Sequence, residues 1–150
     1  MPQTDCGFHS IPTATGALLL ITYGPTLAVN IGFDPAFVVG SGIPNPTVSG
    51  MKALVDTGAS ESCIDSLLAA QLQLPIVDRR MVSGAHGKQE VNMHLAQVHV
   101  PALNWTILGA FAGVHLTAGG QPHHALIGRT FLQHHTMVYV GATGSVTLSR

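Results

Sequence analysis

One carboxylate in this chain sits in a setting suited to acid–base chemistry. The apolar run Ala53-Leu54-Val55 leads directly into Asp56, Thr57, Gly58 and Ala59. A strand that ends in Asp, then a small hydroxyl residue, then Gly delivers a carboxylate into a tight loop. Gly58 lets the backbone turn so that N–H groups approach the carboxylate, and the Thr57 hydroxyl can brace the loop. A carboxylate held this way can take a proton from water or donate one to a carbonyl oxygen. An Asp-x-Gly turn that closes a strand is also a common structural device, so this element alone leaves both meanings open.

Two further segments bear on that choice. His124-Ala125-Leu126-Ile127-Gly128-Arg129-Thr130-Phe131-Leu132 reads as an apolar strand, a glycine and a short helix. Between it and Asp56 lies Met81-Val82-Ser83-Gly84-Ala85-His86-Gly87-Lys88, a glycine-flanked hairpin tip inside a pair of strands.

Other chemistries find less support. There are nine His, but His123-His124 and His134-His135 are adjacent pairs, and neighbours on a strand point to opposite faces. No H-x-x-x-H or C-x-x-C spacing occurs, so no metal is expected. His94 and His99 read as ordinary polar positions on strand faces. There is no G-x-S-x-G element, and Ser60 and Ser62 read as makers of local turn hydrogen bonds. Cys63 is expected to pack beneath the loop of Asp56. Cys6 lies far from it in sequence, and two reduced thiols in a cytoplasmic protein are the expectation. Trp105 reads as core or cleft wall.

The elements that must position Asp56 follow from periodicity. Gly and Pro punctuate short apolar runs throughout, the pattern of an all-β domain. Strands are expected at Ala17–Tyr23, Thr26–Ile31, Met51–Asp56, Val77–Ser83, Glu90–Val100, Thr106–His115, Ala125–Ile127, Met137–Val140 and Val146–Leu148. Leu27, Val29 and Ile31 share one face of theirs. The alternation after Val91 slips near Gln97, which suggests a bulge. Asp65–Leu72, with Asp65 as cap, and Arg129–His135 read as short helices. Residues 1–15 read as a flexible arm and 16–150 as one domain.

Composition narrows the classes. Six Lys+Arg against seven Asp+Glu give a net charge of −1, which argues against a nucleic-acid footprint. Charged residues make up 9%, against roughly 25% in ordinary domains; cover by a second copy would account for this. The apolar stretches are shorter than the ~20 residues that span a bilayer, so no membrane partner is expected. No basic residue precedes the first apolar run, so no secretory leader is expected.

Taken together, Leu54-Val55-Asp56-Thr57-Gly58-Ala59, the hairpin at Gly84–Gly87 and Ala125-Leu126-Ile127-Gly128-Arg129 resemble the aspartic proteases of the retroviral type, the retropepsins, and their bacterial and cellular relatives. The resemblance runs from about Thr26 to Leu148. It implies an all-β fold, a closed β-barrel with a flap hairpin and one or two short helices, acting as a homodimer. It implies a peptide hydrolase in which Asp56 meets its twin on a second chain, with water as nucleophile and no cofactor. Thr57, Gly58 and Ala59 would shape the catalytic loop. Ile127, Gly128 and Arg129 would support it. Ser83, Gly84, Ala85, His86 and Gly87 would form a flap over a polypeptide substrate. The expected lining (Ile127, Val82, Ala59) is apolar, which favours apolar side chains at the cut bond. Ala59 lacks a hydroxyl to support a charged carboxylate, so an optimum in mildly acidic solution is expected. The chain departs from the viral pattern at Ser60-Glu61, leaving Glu61 and Asp65 as alternative partners for Arg129. Its C-terminal hairpin is similar to the pepsin-type ending. A non-catalytic dimeric peptide-binding module on the same fold is the alternative.

Overall fold

A computed structural model describes residues 2–84 and 87–150 of the chain. Among these residues ten strands form: β1 (Gln3–Asp5), β2 (Thr26–Gly32), β3 (Val48–Val55), β4 (Cys63–Asp65), β5 (Ile76–Gly84), β6 (Gly87–Val100), β7 (Trp105–Val114), β8 (Ala125–Ile127), β9 (Thr136–Val140) and β10 (Ser145–Ser149). Three α-helices accompany them: α1 (Gly16–Tyr23), α2 (Ser66–Gln71) and α3 (Arg129–Leu132).

The alternation in β2 does what the sequence predicts. Leu27, Val29 and Ile31 turn inward and are almost wholly buried. With Ile64, Val98, Val100, Ile127 and Leu148 they belong to one continuous core. The first expected strand is instead a helix. The Thr15 hydroxyl accepts from the Leu18 amide at 3.1 Å and caps α1, and Gly24, at φ 70°, ends it by donating to the Leu20 carbonyl. Leu18-Leu19-Leu20 favours helix. A segment apolar on every side carries no period to tell helix from strand. Leu20 is buried, while Leu18 and Ile21 stay exposed.

The expected closed, all-β barrel is corrected in the same way. Three helices interrupt the strands, and the large sheet runs β2-β3-β8-β4-β7-β6-β5. It does not close into a barrel. β2 also pairs antiparallel with the C-terminal part of β6 over Asn30–Gly32, but β5, which among the described residues pairs with β6 alone, remains a free edge. The architecture is a mixed α/β fold built on an open sheet. Two of its pairings, β3 with β8 and β4 with β7, are parallel. Parallel neighbours need long crossovers, and here those crossovers bring the ends of β3 and β8 to the same place.

Residues 1–15, expected as a loose arm, contain β1, which pairs with β10 in a second sheet of order β1-β10-β9. The Cys6 amide donates to the Val146 carbonyl at 2.8 Å, and Cys6 is buried. The start of α1 runs so close to the C-terminal turn that a Cβ on Gly144 would lie 2.2 Å from the Gly16 backbone.

The bulge expected at Gln97 does not form, since Gln97 pairs regularly with Leu108. The alternation slips because this part of β6 is buried on both faces. Gln97 is only 3% exposed, and its amide accepts from the Asp34 N–H at 2.7 Å and donates to the Asp34 carbonyl at 3.0 Å. His94 and His99 are likewise buried rather than ordinary surface positions. The His99 Nδ1 lies 2.9 Å from the Thr106 hydroxyl, and burial holds its imidazole below the usual range.

Asp65 caps α2, as expected, with its carboxylate accepting from the Leu68 amide. It is 1% exposed. Burial alone would raise its carboxyl, but hydrogen bonds from the Thr117 hydroxyl and from the Thr117, Leu116 and Leu68 amides outweigh that and hold it below the ordinary value. A carboxylate lowered in the folded state stabilises the fold above the ordinary carboxylate range and loses that contribution as pH falls through its lowered value. Two outcomes are expected. Asp65→Asn loses about 1–3 kcal/mol at neutral pH, the cost of disrupting hydrogen bonds to a buried charge, and the gap to the parent chain narrows in acid; urea unfolding at both pH values checks this. Gly144→Ala loses about 2 kcal/mol or more, because its φ of 85° and the Gly16 backbone both oppose a side chain; the midpoint of urea unfolding reads it.

Candidate active site

Asp56 follows the last residue of β3, and the sheet continues through it. The Asp56 amide donates to the Ile127 carbonyl at 2.9 Å, extending the register that sets Val55 beside Ile127. The chain then turns sharply. The Gly58 amide donates to Asp56 Oδ1 at 2.9 Å, and the Ala59 amide donates to the Asp56 carbonyl at 3.2 Å. The carboxylate therefore already accepts a bond from its own loop.

The segment after β8 holds this loop from the other side. The Arg129 amide donates to the Ala59 carbonyl at 2.9 Å, and the Thr130 amide donates to the Ser60 carbonyl at 3.0 Å. The Arg129 guanidinium donates to the Thr57 carbonyl at 2.8 Å. Gly128 is required by the closeness of this packing. A Cβ there would lie 2.6 Å from the carbonyl carbon and oxygen of Glu61.

Neither acidic residue considered for Arg129 serves it. Glu61 lies 3.7 Å from Arg80 of β5, and Asp65 is occupied at the α2 cap. Ser62, expected to bond locally, is buried, and its hydroxyl accepts from the distant Gly128 amide at 3.1 Å.

Asp56 is half-buried and faces a cleft of about 740 Å³. Gly58 and Ala59 line it, as do Val82, Ser83 and Gly84 of β5 and Gly87 and Gln89 of β6. These two strands form the hairpin expected over Ser83–Gly87, with Gly84 paired to Gly87. Ala85 and His86, expected at its tip, lie outside the described residues.

The lining differs from the expected one at a key position. Ile127 is fully buried in the core, and its neighbour Leu126 faces the cleft. The two alternate across β8, and the inward place belongs to Ile127. Leu54, Leu116, His115 and His123 also line the cleft and escaped the sequence analysis. Leu54 and Leu126 could have been found by extending the alternation of their strands, but no local pattern marks residues 115–116. His123 is buried, and burial first, then the Lys52 charge, lowers its basicity. Trp105 is not part of this cleft; it packs edge-on to Phe131 and carries the Arg150 guanidinium over its ring. Among the described residues, no group of three or more His, Cys, Asp or Glu is placed to hold a metal ion, and no helix is long and apolar enough to cross a membrane.

A strand-borne Asp-Thr-Gly loop, locked to an Ile-Gly-Arg element and opening into a hairpin-lined cleft, defines an aspartic-protease-like domain. The chain belongs to the family described as "gag-polyprotein putative aspartyl protease", whose sequence model matches residues 48–134, more than half of its length. That stretch contains Asp56, the hairpin and Gly128-Arg129. No curated protein matches the chain.

Cys63 also lines the cleft, and its thiol is pushed up to about 11 by burial first and then by the Glu61 and Asp56 charges. A protonated thiol is a poor nucleophile. Iodoacetamide should therefore label Cys63 slowly at neutral pH and much faster in the unfolded chain. Mass spectrometry of the labelled peptide checks this, and equal rates in both states would contradict it.

Proposed function

We propose that the chain is an aspartic endopeptidase that acts as a homodimer, with one Asp56 from each copy facing the other across a twofold axis. The main support is the position of Asp56: a rigid, half-buried carboxylate at the edge of a cleft of about 740 Å³ that the β5–β6 hairpin also lines. That volume suits a few side chains of an extended peptide.

In this proposal the two carboxylates cannot both ionise easily at close range, so they share one proton. The ionised member takes a proton from water, and the resulting nucleophile attacks the scissile carbonyl. The protonated member donates to the carbonyl oxygen. The proton steps belong to the pair and not to either residue. Thr57 of each copy would cross-link the paired loops, and Arg129, by holding the Thr57 carbonyl, would keep each loop in shape for that contact. The hairpin would act as a flap that covers the peptide and excludes water, with Ser83, Gly84 and Gly87 against it. Peptide backbone would pair as an added strand. Leu54, Val82, Leu116 and Leu126 give the cleft its apolar lining, which favours apolar side chains beside the cut bond. The site uses no cofactor in this scheme.

Digestion of a peptide library from acid to neutral pH, with Asp56→Asn alongside, tests the proposal. The expected result is cleavage between apolar residues with a mildly acidic optimum, falling by about 10²–10⁴-fold or more in the variant. Cleavage that survives Asp56→Asn would remove Asp56 from the chemistry. Peptide binding without cleavage by the parent chain would point to a non-catalytic binding module instead. Sedimentation tests the dimer: Asp56→Asn removes a like-charge repulsion and should tighten association at neutral pH. A chain that cuts peptides while remaining monomeric would refute the shared site.

A further inference from the structure

One side of the cleft is held by a device that the catalytic scheme does not use. His115 and Leu116 line the cleft directly after β7, and Gly119 and Gln121 line it a few residues on. This stretch is not a strand. It contains a single turn of 3-10 helix at Thr117–Gly119. Two of its own hydrogen bonds converge on one atom, the Leu116 carbonyl, which accepts from the Gly119 amide at 3.1 Å and the Gln121 amide at 2.9 Å, and a third runs from the Gly120 amide to the neighbouring Thr117 carbonyl at 3.0 Å. Where Leu116 goes, the rest of the wall follows.

The segment from His115 to Thr117 is held by two consecutive residues at the start of α2. Asp65 Oδ1 accepts from the Leu116 and Thr117 amides, both at 3.1 Å, and Oδ2 accepts from the Thr117 hydroxyl at 2.8 Å. The Ser66 hydroxyl lies 2.8 Å from His115 Nδ1. The parallel pairing of β4 with β7, which sets Asp65 beside Val114, brings these groups together. An unpaired carboxylate at this depth would be costly; here its four hydrogen-bond donors include three from the wall. An N-cap needs only one such bond.

We infer that Asp65 and Ser66 form a clamp that positions the 115–121 wall of the cleft and thereby sets how large an apolar side chain the site accepts beside the cut bond. Both are positioning residues: Asp65 acts through Leu116 and Thr117, Ser66 acts through His115, and neither touches a reacting atom. The inference rests on the proposed peptidase function for its consequence, but the clamp itself can be tested without activity.

The mild variants Thr117→Val and Ser66→Ala each remove one hydroxyl and leave the core untouched. Assayed on a peptide pair with Leu or Ala beside the cut bond, each should raise KM for the Leu peptide roughly three- to tenfold, the worth of one hydrogen bond. In both, kcat should stay within about twofold, and the preference for Leu over Ala should shrink. Unchanged KM and preference in both variants would overturn the inference. So would a loss of kcat and KM that follows the melting temperature, as a merely structural role would give. In parallel, amide hydrogen exchange in Asp65→Ser, which keeps a capping oxygen for α2, should accelerate at Leu116 and Thr117 more than at the hairpin strands. Exchange unchanged at those two amides would overturn the clamp whatever the activity. If the parent chain cuts no peptide, the proposed function fails, and the exchange measurement still decides the clamp.

Discussion

The site depends on one parallel strand pairing. β3 and β8 run side by side with Val55 opposite Ile127, so the loops that leave their ends have no choice but to pack together. That packing is dense. Five hydrogen bonds join residues 56–62 to residues 127–130, and each contributes about 1 kcal/mol net. Their larger effect is geometric. An amide or carbonyl left unpaired in this half-buried place would be penalised, so the loop around Asp56 has few alternative shapes. Gly128 is the position where this constraint meets chemistry, because any side chain there would strike the Glu61 carbonyl.

A second principle unites the rest of the molecule. With so few charged residues, the chain pins its irregular segments with single buried polar side chains on the sheet or beside it. Gln97 holds the loop at Asp34 by a pair of amide bonds. Ser62 holds the turn at Gly128. Asp65 holds the segment at Leu116 and Thr117. In each case a polar atom from regular structure, or from the turn beside it, satisfies backbone groups that a loop cannot satisfy alone. Asp65 alone keeps a charge, and its donors make that charge tolerable.

Much of this was open to inspection in the chain itself. The strand leading into Asp56 and the strand leading into Gly128 announce themselves by apolar runs that stop at turn residues. The hairpin around Gly84 and Gly87 is a local pattern of the same kind. The α2 cap is visible as Asp65 before an apolar helical stretch. What misled was uniform apolarity: Ala17–Tyr23 has no polar face from which to read a period, and capping by Thr15 and Gly24 decided for helix. The slip at Gln97 was equally ambiguous, since a bulge and a strand buried on both sides produce the same loss of alternation. The expectation of a closed barrel came from resemblance, and three helices and the free edge at β5 set it aside.

The sequence by itself determined the local chemistry: a carboxylate at a strand end, a glycine hairpin, and an Ile-Gly-Arg element. These are legible because strand, turn and cap preferences act over a few neighbouring residues. Only the tertiary structure decided which groups meet. Arg129 chooses the Thr57 carbonyl over any carboxylate, Leu126 takes the cleft while Ile127 takes the core, and Asp65 reaches the wall at Leu116. Each depends on how distant strands are placed side by side, and that placement minimises exposed apolar surface and unpaired polar groups over the whole fold at once, a sum that no short stretch of chain contains.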